Sequence, residues 1–364
     1  MSPARVLLDG MQLRHGHGVA RTLKAVLPAL AGSGFEAIVV TTPDAAQMLA
    51  DFDVETLLAP KTSNILWEQI GLPWYAHKVR AKALYSHRAC APTTGPPTLL
   101  YYLDDPQEAA ARGATATTPR ERVVRVYQRL SVGPAVRHAA VVATYTEVAA
   151  QSLRARFGRS LRQLEVVPLG VDPSTFYPDR SENQPESIFH LGSWEPRDQT
   201  ELVVRAYALA VAERPDLPRL VIAGRLGALE MRVRRAAEEG GVQDRVVYLG
   251  GVSDGELRRG YSAAAVCIQP SLYESFGLTT LEAIACGAPL VVVAEPAVQE
   301  VVGGAAVVVP ERSSAPALAN GLLHLWDRPD ERQRLRLAGP QRASRFTWSR
   351  TGTTICRLLA ELVK

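Results

Sequence analysis

Cysteine is scarce in this sequence, and no long apolar run occurs. The four cysteines, Cys90, Cys267, Cys286 and Cys356, lie far apart and form no Cys-x-x-Cys pair, so neither a zinc site nor a disulfide framework is indicated. No stretch approaches the roughly 20 apolar residues of a membrane-spanning helix. These absences favour a chain that works in a reducing cytosol, and neither export nor a membrane span is expected.

An excess of charge of one sign is also missing. Lys plus Arg number 41 and Asp plus Glu number 37, a balance too even to argue for nucleic acid as a partner. With 364 residues and 47% hydrophobic side chains, the chain is long enough for two α/β domains with full cores. The location of the charges therefore matters more than their total.

Short β-branched runs with helical stretches between them are abundant. The first series comprises RVLLDG (5–10), EAIVVTT (36–42), VETLLA (54–59), ALYSH (83–87), TLLYYLD (98–104) and AAVVATY (139–145). The second series comprises ESIFHLGS (186–193), RLVIAG (219–224), RVVYLGG (245–251), AAVCIQPS (264–271) and APLVVVA (288–294). This alternation predicts two doubly wound α/β domains on buried parallel sheets, with a hinge in the linker 171–184. The cleft between the domains is the expected ligand site.

Two glutamates flank a predicted strand-to-helix boundary in YESFGLTTLEAIACGAP (273–289). With Thr279 or Thr280 as the predicted N-cap, Glu274 falls in the loop and Glu282 in the first turn of the helix. The N–H groups at a helix start favour an anion such as a diphosphate, and a nearby carboxylate suits the hydroxyls of a sugar. The alternative is that Glu282 only complements the helix dipole and Glu274 is solvated.

The longer segment PSLYESFGLTTLEAIACGAPLVV (270–292) resembles the signature of glycosyltransferase family 4, whose members have the two-domain GT-B fold. Similar segments follow in the family's order over most of the chain: RHGHGVARTL (14–23), ILWEQIGLP (65–73), VVPLGVDPSTFYP (166–178), HLGSWEPRDQTELVVRAY (190–207), LVIAGRLG (220–227) and VVYLGGVSDGELRRGYSAA (246–264). The end of the chain, 346–364, resembles the helix that crosses back to the first domain. The resemblance implies an acceptor-side domain of residues 1–175 joined by 346–364, and a nucleotide-sugar-binding domain of residues 176–345.

The family transfers a sugar from a nucleoside-diphosphate donor to an acceptor with retention of anomeric configuration. Carried onto matching positions, Glu282 would hold the ribose and Glu274 would contact the donor sugar. The backbone amides of Phe276, Gly277 and Leu278 would meet the diphosphate and the sugar. The leaving phosphate would assist deprotonation of the acceptor, and the resemblance implies neither a bound metal nor a cofactor.

The partners implied by the resemblance are a nucleotide-sugar donor and a hydroxyl acceptor on a glycan, a lipid-linked molecule or a small molecule. The first-domain segments resemble those of mannosyl and rhamnosyl transferases, so GDP-mannose is the first expected donor and a UDP-hexose the second. Two other hypotheses stay open. One is a non-catalytic GT-B relative that binds a sugar nucleotide or a partner transferase, and the other is a nucleotide-sugar epimerase of the same fold.

The loop GSWEPRDQ (192–199) departs from the family pattern. Negative charge builds on the departing phosphate, and the family commonly supplies an Arg and a Lys near it. Arg197 matches, whereas Ser193 and Asp198 stand where a second basic residue is expected. Arg225, after the next strand, is a candidate replacement, and the alternative is a surface residue that caps a carbonyl.

The first domain departs from the family as well. Relatives carry a histidine before an aspartate at a strand end, whereas this chain has Asp104 in TLLYYLDDPQE. Asp104 is a candidate to bind a donor hydroxyl or to take the acceptor proton, and the alternative is that it starts a turn. Gly16 and Gly18 would let the backbone approach the diphosphate or the acceptor, or would form a turn with no ligand. His190 is expected to be a core histidine.

Basic residues accumulate in the first domain, where no acidic residue occurs from Gln69 to Leu103. The segment TPRERVVRVYQRL (118–130) predicts a capped helix. The residues of this helix that share one basic face are Arg122, Arg125 and Arg129. Such a face fits an anionic membrane surface or a lipid-linked acceptor, and a solvated helix face is the alternative. A cytoplasmic protein is expected, with peripheral attachment to the inner face of the membrane left open.

Overall fold

The structure, a computed structural model, describes residues 3–13, 18–30, 33–102, 119–179 and 186–364, with the backbone alone at 18 and 119–121. The chain divides into two compact units. The first unit is Met1–Gly170 with Trp348–Lys364, and the second unit is Val171–Thr347. Within the described ranges, no helix has the length and apolar character needed to cross a membrane.

The first unit is built on a parallel sheet. Its strands are β1 (Ala4–Asp9), β2 (Phe35–Thr41), β3 (Glu55–Leu58), β4 (Ala83–Arg88), β5 (Thr98–Tyr102), β6 (Val141–Thr144) and β7 (Leu164–Val166). Its helices are α1 (Gly18–Leu30), α2 (Pro43–Ala46), α3 (Asn64–Leu66), α4 (Leu72–Lys78), α5 (Pro119–His138), α6 (Glu147–Phe157) and the last helix of the chain, α14 (Trp348–Leu362). The π-helical turn Trp67–Gly71 joins α3 to α4. The strand order is β3-β2-β1-β4-β5-β6-β7.

The second unit repeats this architecture. Its strands are β8 (Ser187–Leu191), β9 (Leu220–Ala223), β10 (Val246–Gly250), β11 (Ala264–Gln269), β12 (Leu290–Val293) and β13 (Val307–Val309). Its helices are α7 (Thr200–Glu213), α8 (Glu230–Glu239), α9 (Asp254–Ala263), α10 (Leu278–Ala285), α11 (Pro296–Val302), α12 (Ala315–Trp326) and α13 (Pro329–Ala343). The strand order is β10-β9-β8-β11-β12-β13. The prediction of two doubly wound α/β domains is therefore confirmed.

The central strands are buried over their whole length. Every residue of β4, β5, β11 and β12 is buried. Helices cover both faces of a doubly wound sheet, and its strands are therefore continuous apolar runs rather than alternating ones. This explains why the β-branched runs were such a clear signal in the sequence.

The last helix closes the first unit. α14 packs against α1, and a Cβ atom at Gly352 would lie 3.0 Å from the backbone oxygen of Ala25 and from the Cβ of Ala29. Thr351 Oγ1 donates a hydrogen bond to the backbone oxygen of Pro168 at 2.7 Å. Glycine at 352 therefore permits the close approach of the two helices.

Two short edge strands were not predicted. Both β7 and β13 have three residues, and each lies at the edge of its sheet. The residues around β7 were interpreted as the start of the linker, because Pro and Gly follow directly in VVPLG. A run of three residues is too short for its periodicity to separate a strand from a loop.

Each sheet has one point where the strand order reverses. In the first unit it lies between β1 and β4, and in the second unit between β8 and β11. In open α/β sheets, ligands bind beyond the carboxyl ends of the strands at such a switch point. The residues that follow these four strands are therefore the first place to look for function.

Candidate functional site

Two loops meet at the switch point of the second unit, one after β8 and one after β11. The backbone N–H of Leu272 donates to the backbone oxygen of Arg197 at 2.9 Å. The side-chain amide of Gln199 donates to the backbone oxygen of Pro270 at 2.5 Å and to that of Arg312 at 2.7 Å. Gln199 has a left-handed backbone, with φ of 53°. These bonds fix the two loops against each other.

An arginine and a glutamate approach each other across these loops. Arg197 Nη1 lies 4.0 Å from Glu274 Oε2 and donates to the backbone oxygen of Tyr273 at 3.2 Å. The Arg197 side chain is 37% exposed and that of Glu274 is 15% exposed. The sequence placed these two residues in one site although they are 77 positions apart, and the structure brings them together. The Arg197 side chain therefore stays partly accessible to an anion, while the Glu274 carboxylate is largely shielded from water.

The predicted departure at Ser193 and Asp198 is a hydrogen-bonded pair. Ser193 Oγ donates to Asp198 Oδ2 at 2.5 Å and accepts from the backbone N–H of Glu195 at 3.0 Å. Burial raises the pKa of the Asp198 carboxyl, although the hydrogen bond from Ser193 and the charge of Arg197 oppose that rise. Where the resemblance calls for a second cation, this chain uses two polar side chains to close the loop.

Three glycines, Gly192, Gly224 and Gly250, lie at the carboxyl ends of the neighbouring strands β8, β9 and β10. Gly192 N–H donates to Ala223 O at 2.9 Å, and Gly224 N–H donates to Gly250 O at 2.6 Å. The φ of Gly224 is +100°, and a Cβ atom there would lie 1.9 Å from the backbone oxygen of Gly192. Only glycine fits this position, because both the conformation and the space exclude a side chain.

Arg225 directly follows Gly224 in the loop after β9. It is exposed, and its Nε lies 2.7 Å from the position that a Cβ of Gly251 would take. The sequence predicted that Arg225 would emerge on the same side of the sheet as Arg197, and the parallel strand order places both after carboxyl strand ends. Trp194, on the loop after β8, is exposed, and its Cβ lies 3.3 Å from the position that a Cβ of Gly227 would take.

The helix of the glutamate segment begins earlier than predicted. The N-cap is Gly277, with φ of 90° and ψ of 53°, and neither Thr279 nor Thr280 holds that position. The prediction of a threonine cap was wrong because a glycine can cap from a left-handed conformation that the threonine rule does not consider. Glu282 is consequently the fifth residue of α10 and is 3% exposed.

Phe276 and Leu278 flank this N-cap. The Phe276 side chain is 2% exposed and packs edge-on against Phe346, with 5.7 Å between the ring centroids. Because the ring is anchored in the core, Phe276 offers only its backbone to a ligand. The start of α10 presents N–H groups that have no partner within the helix, which is the usual geometry for anion binding.

His190 is a core histidine, as predicted. Its Nδ1 lies 2.8 Å from the backbone oxygen of Ile268, and its Nε2 lies 3.0 Å from Thr200 Oγ1. Burial lowers the pKa of the imidazole to about 4. A neutral ring with both nitrogens engaged has no free position for a ligand.

The predicted site residues of the first unit are only partly described. Gly16 and Asp104 lie outside the described residues. Gly18 is the first residue of α1, directly after the predicted glycine loop. Their roles at the donor or the acceptor therefore stay predictions.

A buried charge network at the first unit's switch point was missed by the sequence interpretation. Asp9 ends β1 and Arg88 ends β4, and Arg88 Nε donates to Asp9 Oδ2. Arg88 Nη1 also donates to Glu68 Oε1 at 3.3 Å. The side chains of all three are at most 6% exposed. The available signal was a charged residue at the end of each of two apolar strands.

The network reaches the loop that follows β1. Asp9 Oδ1 accepts from the backbone N–H of Met11 at 3.1 Å and from Trp67 Nε1 at 3.1 Å. Glu68 Oε2 accepts from the Tyr127 hydroxyl at 2.7 Å. Glu68 and Trp67 lie in the π-helical turn, a feature that occurs frequently at functional sites. The buried charges therefore fix the start of the glycine-containing loop.

Glu68 makes the stability of the first unit depend on pH. Burial raises the pKa of its carboxyl from 4.5 to about 6, against the opposing charge of Arg88. A raised carboxyl pKa means that the protonated form stabilises the fold; this stabilisation is complete below pH 4.5 and is lost as the pH rises through about 6. The shift corresponds to about 2 kcal/mol.

We therefore expect Glu68→Gln, which resembles the protonated form, to flatten the pH dependence of stability. Between pH 4.5 and 7, the wild type should lose about 2 kcal/mol more of its free energy of unfolding than the variant. Urea unfolding of both proteins across this range measures the difference. Parallel curves for the two proteins would contradict the assignment.

Comparison with known proteins adds a family match. Residues 176–342 match the family described as glycosyl transferases group 1. This segment covers the loop after β8, the loop after β11 and α10.

Two curated relatives have similar sequences. A D-inositol 3-phosphate glycosyltransferase of Pseudarthrobacter chlorophenolicus is 32% identical over 218 residues, which are 57% of this chain and 52% of the relative. The O-antigen chain mannosyltransferase B of Escherichia coli is 30% identical over 164 residues, 45% of this chain and 43% of the relative. The chain spans about half the length of the curated relatives it matches.

A solved structure is similar over nearly the whole chain. The crystal structure of HepE from Anabaena in complex with UDP-glucose has a TM-score of 0.72 and 16% sequence identity. The match covers 98% of this chain and 99% of that one. At this identity the likeness concerns the fold.

Proposed function

We propose that this chain is a retaining glycosyltransferase of the GT-B fold, on the premise that residues 176–342 match the glycosyl transferases group 1 family and that the chain has two doubly wound domains. It would transfer a hexosyl group from a nucleoside-diphosphate sugar to a hydroxyl acceptor. The observation that carries this proposal is the approach of Arg197 to Glu274 at 4.0 Å, beside the N-terminus of α10.

The proposed roles follow from charge and position. The start of α10, with the backbone of Phe276, Gly277 and Leu278, would receive the diphosphate. Glu282 would bind the ribose and Glu274 the donor sugar. Because the guanidinium of Arg197 is held by the loop after β11, it would face the leaving phosphate as negative charge develops, without reorganising at that moment.

A second cation would be Arg225. It follows β9, whose end is hydrogen-bonded to the loop after β8 through Gly192. The Ser193–Asp198 pair adds no positive charge, so the proposed site relies on two arginines rather than on an Arg and a Lys. Arginine keeps its charge at every physiological pH and can bind a phosphate with two parallel hydrogen bonds.

The donor we propose first is GDP-mannose, with a UDP-hexose second. A mannosyltransferase among the relatives supports the first, and a UDP-glucose complex among the structural neighbours supports the second. The acceptor would be a hydroxyl of a glycan, a lipid-linked molecule or a small molecule. The proposed location is the cytoplasm, at the inner face of the membrane when the acceptor is lipid-linked.

The Ser193–Asp198 pair, which stands where a second basic residue is expected, is the reason to test a second candidate function. A non-catalytic relative would bind the sugar nucleotide or a partner transferase without turning over the donor. The raised pKa of Asp198 and its position beside Arg197 show how far this loop departs from a purely basic phosphate site. Binding and turnover must therefore be measured separately.

We expect one of UDP, GDP, TDP or ADP to raise the melting temperature of the wild type. At about 100 times its Kd a ligand stabilises the native state by about 2.7 kcal/mol, which corresponds to an increase of about 5 °C or more. Glu282→Gln should weaken the binding of this nucleotide at least tenfold, because a charged hydrogen bond to the ribose is lost. Differential scanning fluorimetry measures both effects. Glu256→Gln, in the capping box of α9, is the control and should keep the full shift.

Donor turnover then separates the two functions. With the nucleotide sugar that binds, the wild type should release free nucleotide by transfer or slow hydrolysis, and Glu274→Gln should lower that rate about a hundredfold. Binding without any release of nucleotide would favour the non-catalytic function. The absence of a shift with all four nucleotides would overturn the donor site itself.

A further inference from the structure

Six large apolar side chains form an exposed ridge on two helical segments of the first unit. The members of this apolar ridge are Leu66, Ile70, Trp74, Val123, Val126 and Leu130, and each is more than half exposed. The first three are spaced four residues apart between α3 and α4. The other three follow the i, i+3, i+7 spacing of one helix face on α5.

The two segments are neighbours. Gln69 Nε2 donates to the Tyr127 hydroxyl at 3.1 Å, and that hydroxyl donates to Glu68 Oε2 at 2.7 Å. Tyr127 lies next to Val126 in sequence, and Gln69 lies next to Ile70. These half-buried polar contacts join the two segments, and exposed apolar side chains flank them in both segments.

Exposed apolar side chains are common when they are scattered, so their grouping decides the argument. Thirteen large hydrophobic side chains are exposed among the described residues, and six of them are on this surface. Such a concentration on two adjacent helices is typical of a surface that binds something. Exposing this apolar surface to water is unfavourable, and covering it would lower the free energy.

Positive charge borders the ridge. Lys78 Nζ lies 5.1 Å from the centroid of the Trp74 ring, which places a cation directly over the exposed indole. Arg122 and Arg129 are exposed on α5, one turn apart from ridge residues. No Asp or Glu occurs between Gln69 and Tyr102. The surface thus combines exposed apolar side chains with cations, and the carboxylate of Glu68, between Leu66 and Ile70, is buried.

We propose that the apolar ridge and its basic border dock this protein on an anionic lipid bilayer. The apolar side chains would enter the boundary between headgroups and acyl chains, and Lys78, Arg122 and Arg129 would meet lipid phosphates. A second copy of the chain is a poorer occupant, because a symmetric contact would place these like charges against each other. The proposal deepens the proposed function by naming a partner, and its link to a lipid-linked acceptor rests on that function.

The test is co-sedimentation of the full chain with vesicles of phosphatidylcholine, with and without phosphatidylglycerol. The wild type should bind at least tenfold more strongly to the anionic vesicles. Leu130→Asp should weaken this binding at least tenfold, because a buried leucine contributes enough transfer free energy for such a change. The matched control is Leu337→Asp on α13, an exposed leucine outside the ridge, which should bind like the wild type.

A second readout locates the contact. Blue-shifted tryptophan fluorescence on vesicle addition should disappear in Trp74→Phe and persist in Trp194→Phe, since both indoles are exposed but only Trp74 belongs to the ridge. Arg122→Gln combined with Arg129→Gln should remove the preference for anionic vesicles. A persistent blue shift in Trp74→Phe, or equal losses in Leu130→Asp and Leu337→Asp, would overturn the proposed surface.

The remaining outcomes are also decisive. A nucleotide-induced melting shift retained in Leu130→Asp shows that the variant is folded, so its loss of vesicle binding concerns the surface. Equal binding to neutral and anionic vesicles would overturn the role of the basic border.

A wild-type dimer that Leu130→Asp converts to a monomer, without vesicle binding by either protein, would assign the ridge to self-association. Vesicle binding without any nucleotide shift would support the ridge and contradict the donor site.

Discussion

Arg88→Met is expected to lower the free energy of unfolding by about 3–5 kcal/mol. The guanidinium lies between Asp9 and Glu68, and its side chain is 3% exposed. Removing one partner from a buried charge network leaves the others uncompensated in a medium that solvates them poorly. Here two carboxylates would remain, and Glu68 can relieve the repulsion only by binding a proton. Urea unfolding at pH 7 measures the loss, and part of it should be recovered at pH 5.

Arg5→Met is the matched control for this experiment. Arg5 Nε is bonded to Glu36 Oε2 at 2.7 Å in the same sheet, but the Arg5 side chain is 45% exposed. Water replaces an exposed partner at little cost, so the stability should hardly change. A small effect of Arg88→Met, similar to that of Arg5→Met, would contradict the account of a buried, mutually dependent network.

Gly224→Ala is expected to destabilise the second unit by about 4 kcal/mol or more. The new methyl group would lie 1.9 Å from the backbone oxygen of Gly192, and φ of +100° is unfavourable for any residue with a Cβ. Relief would require the ends of β8 and β9 to separate. The loops that contain Arg197 and Arg225 follow these two strand ends. The increase in melting temperature caused by nucleotide should therefore fall together with the free energy of unfolding. Thermal and urea unfolding measure the first effect, and fluorimetry with nucleotide the second.

Gly241→Ala isolates the contribution of the backbone conformation. Gly241 also has a positive φ, +65°, but a Cβ there would meet nothing within 4 Å. The expected cost is about 1–2 kcal/mol, the usual penalty for a left-handed residue with a side chain. Equal losses in Gly224→Ala and Gly241→Ala would show that the close approach of Gly192 contributes nothing.

The sequence predicted the interior of the fold better than its edges. Strands such as β11 and β12 are buried on both faces, so their composition alone marks them. The three-residue strands β7 and β13 depend on pairing with a neighbour, and pairing partners cannot be derived from composition. The same limit applies to the N-cap Gly277, whose φ is +90° and where a Cβ atom would lie 3.2 Å from Val298 Cγ2.

For the candidate site, the motif predicted which residues come together. It did not predict the contacts that hold their loops in place. Arg197 and Glu274 were expected in one site, and they approach to 4.0 Å. The bridging role of Gln199 was not predicted, because its three oxygen partners come from two distant segments. The network of Asp9, Arg88 and Glu68 was missed for the same reason. Charged side chains at strand ends carry no sequence signal for the partner that neutralises them.

Gln199 also bears on the thermodynamics of ligand recognition. A single side chain binds the backbone after β11 and the backbone at Arg312, and accepts a hydrogen bond from Ser313 Oγ at 2.9 Å. The loops it connects are therefore ordered before any ligand arrives. Their conformational entropy is lost when the protein folds and not when it binds, so a larger part of each contact with a ligand contributes to affinity.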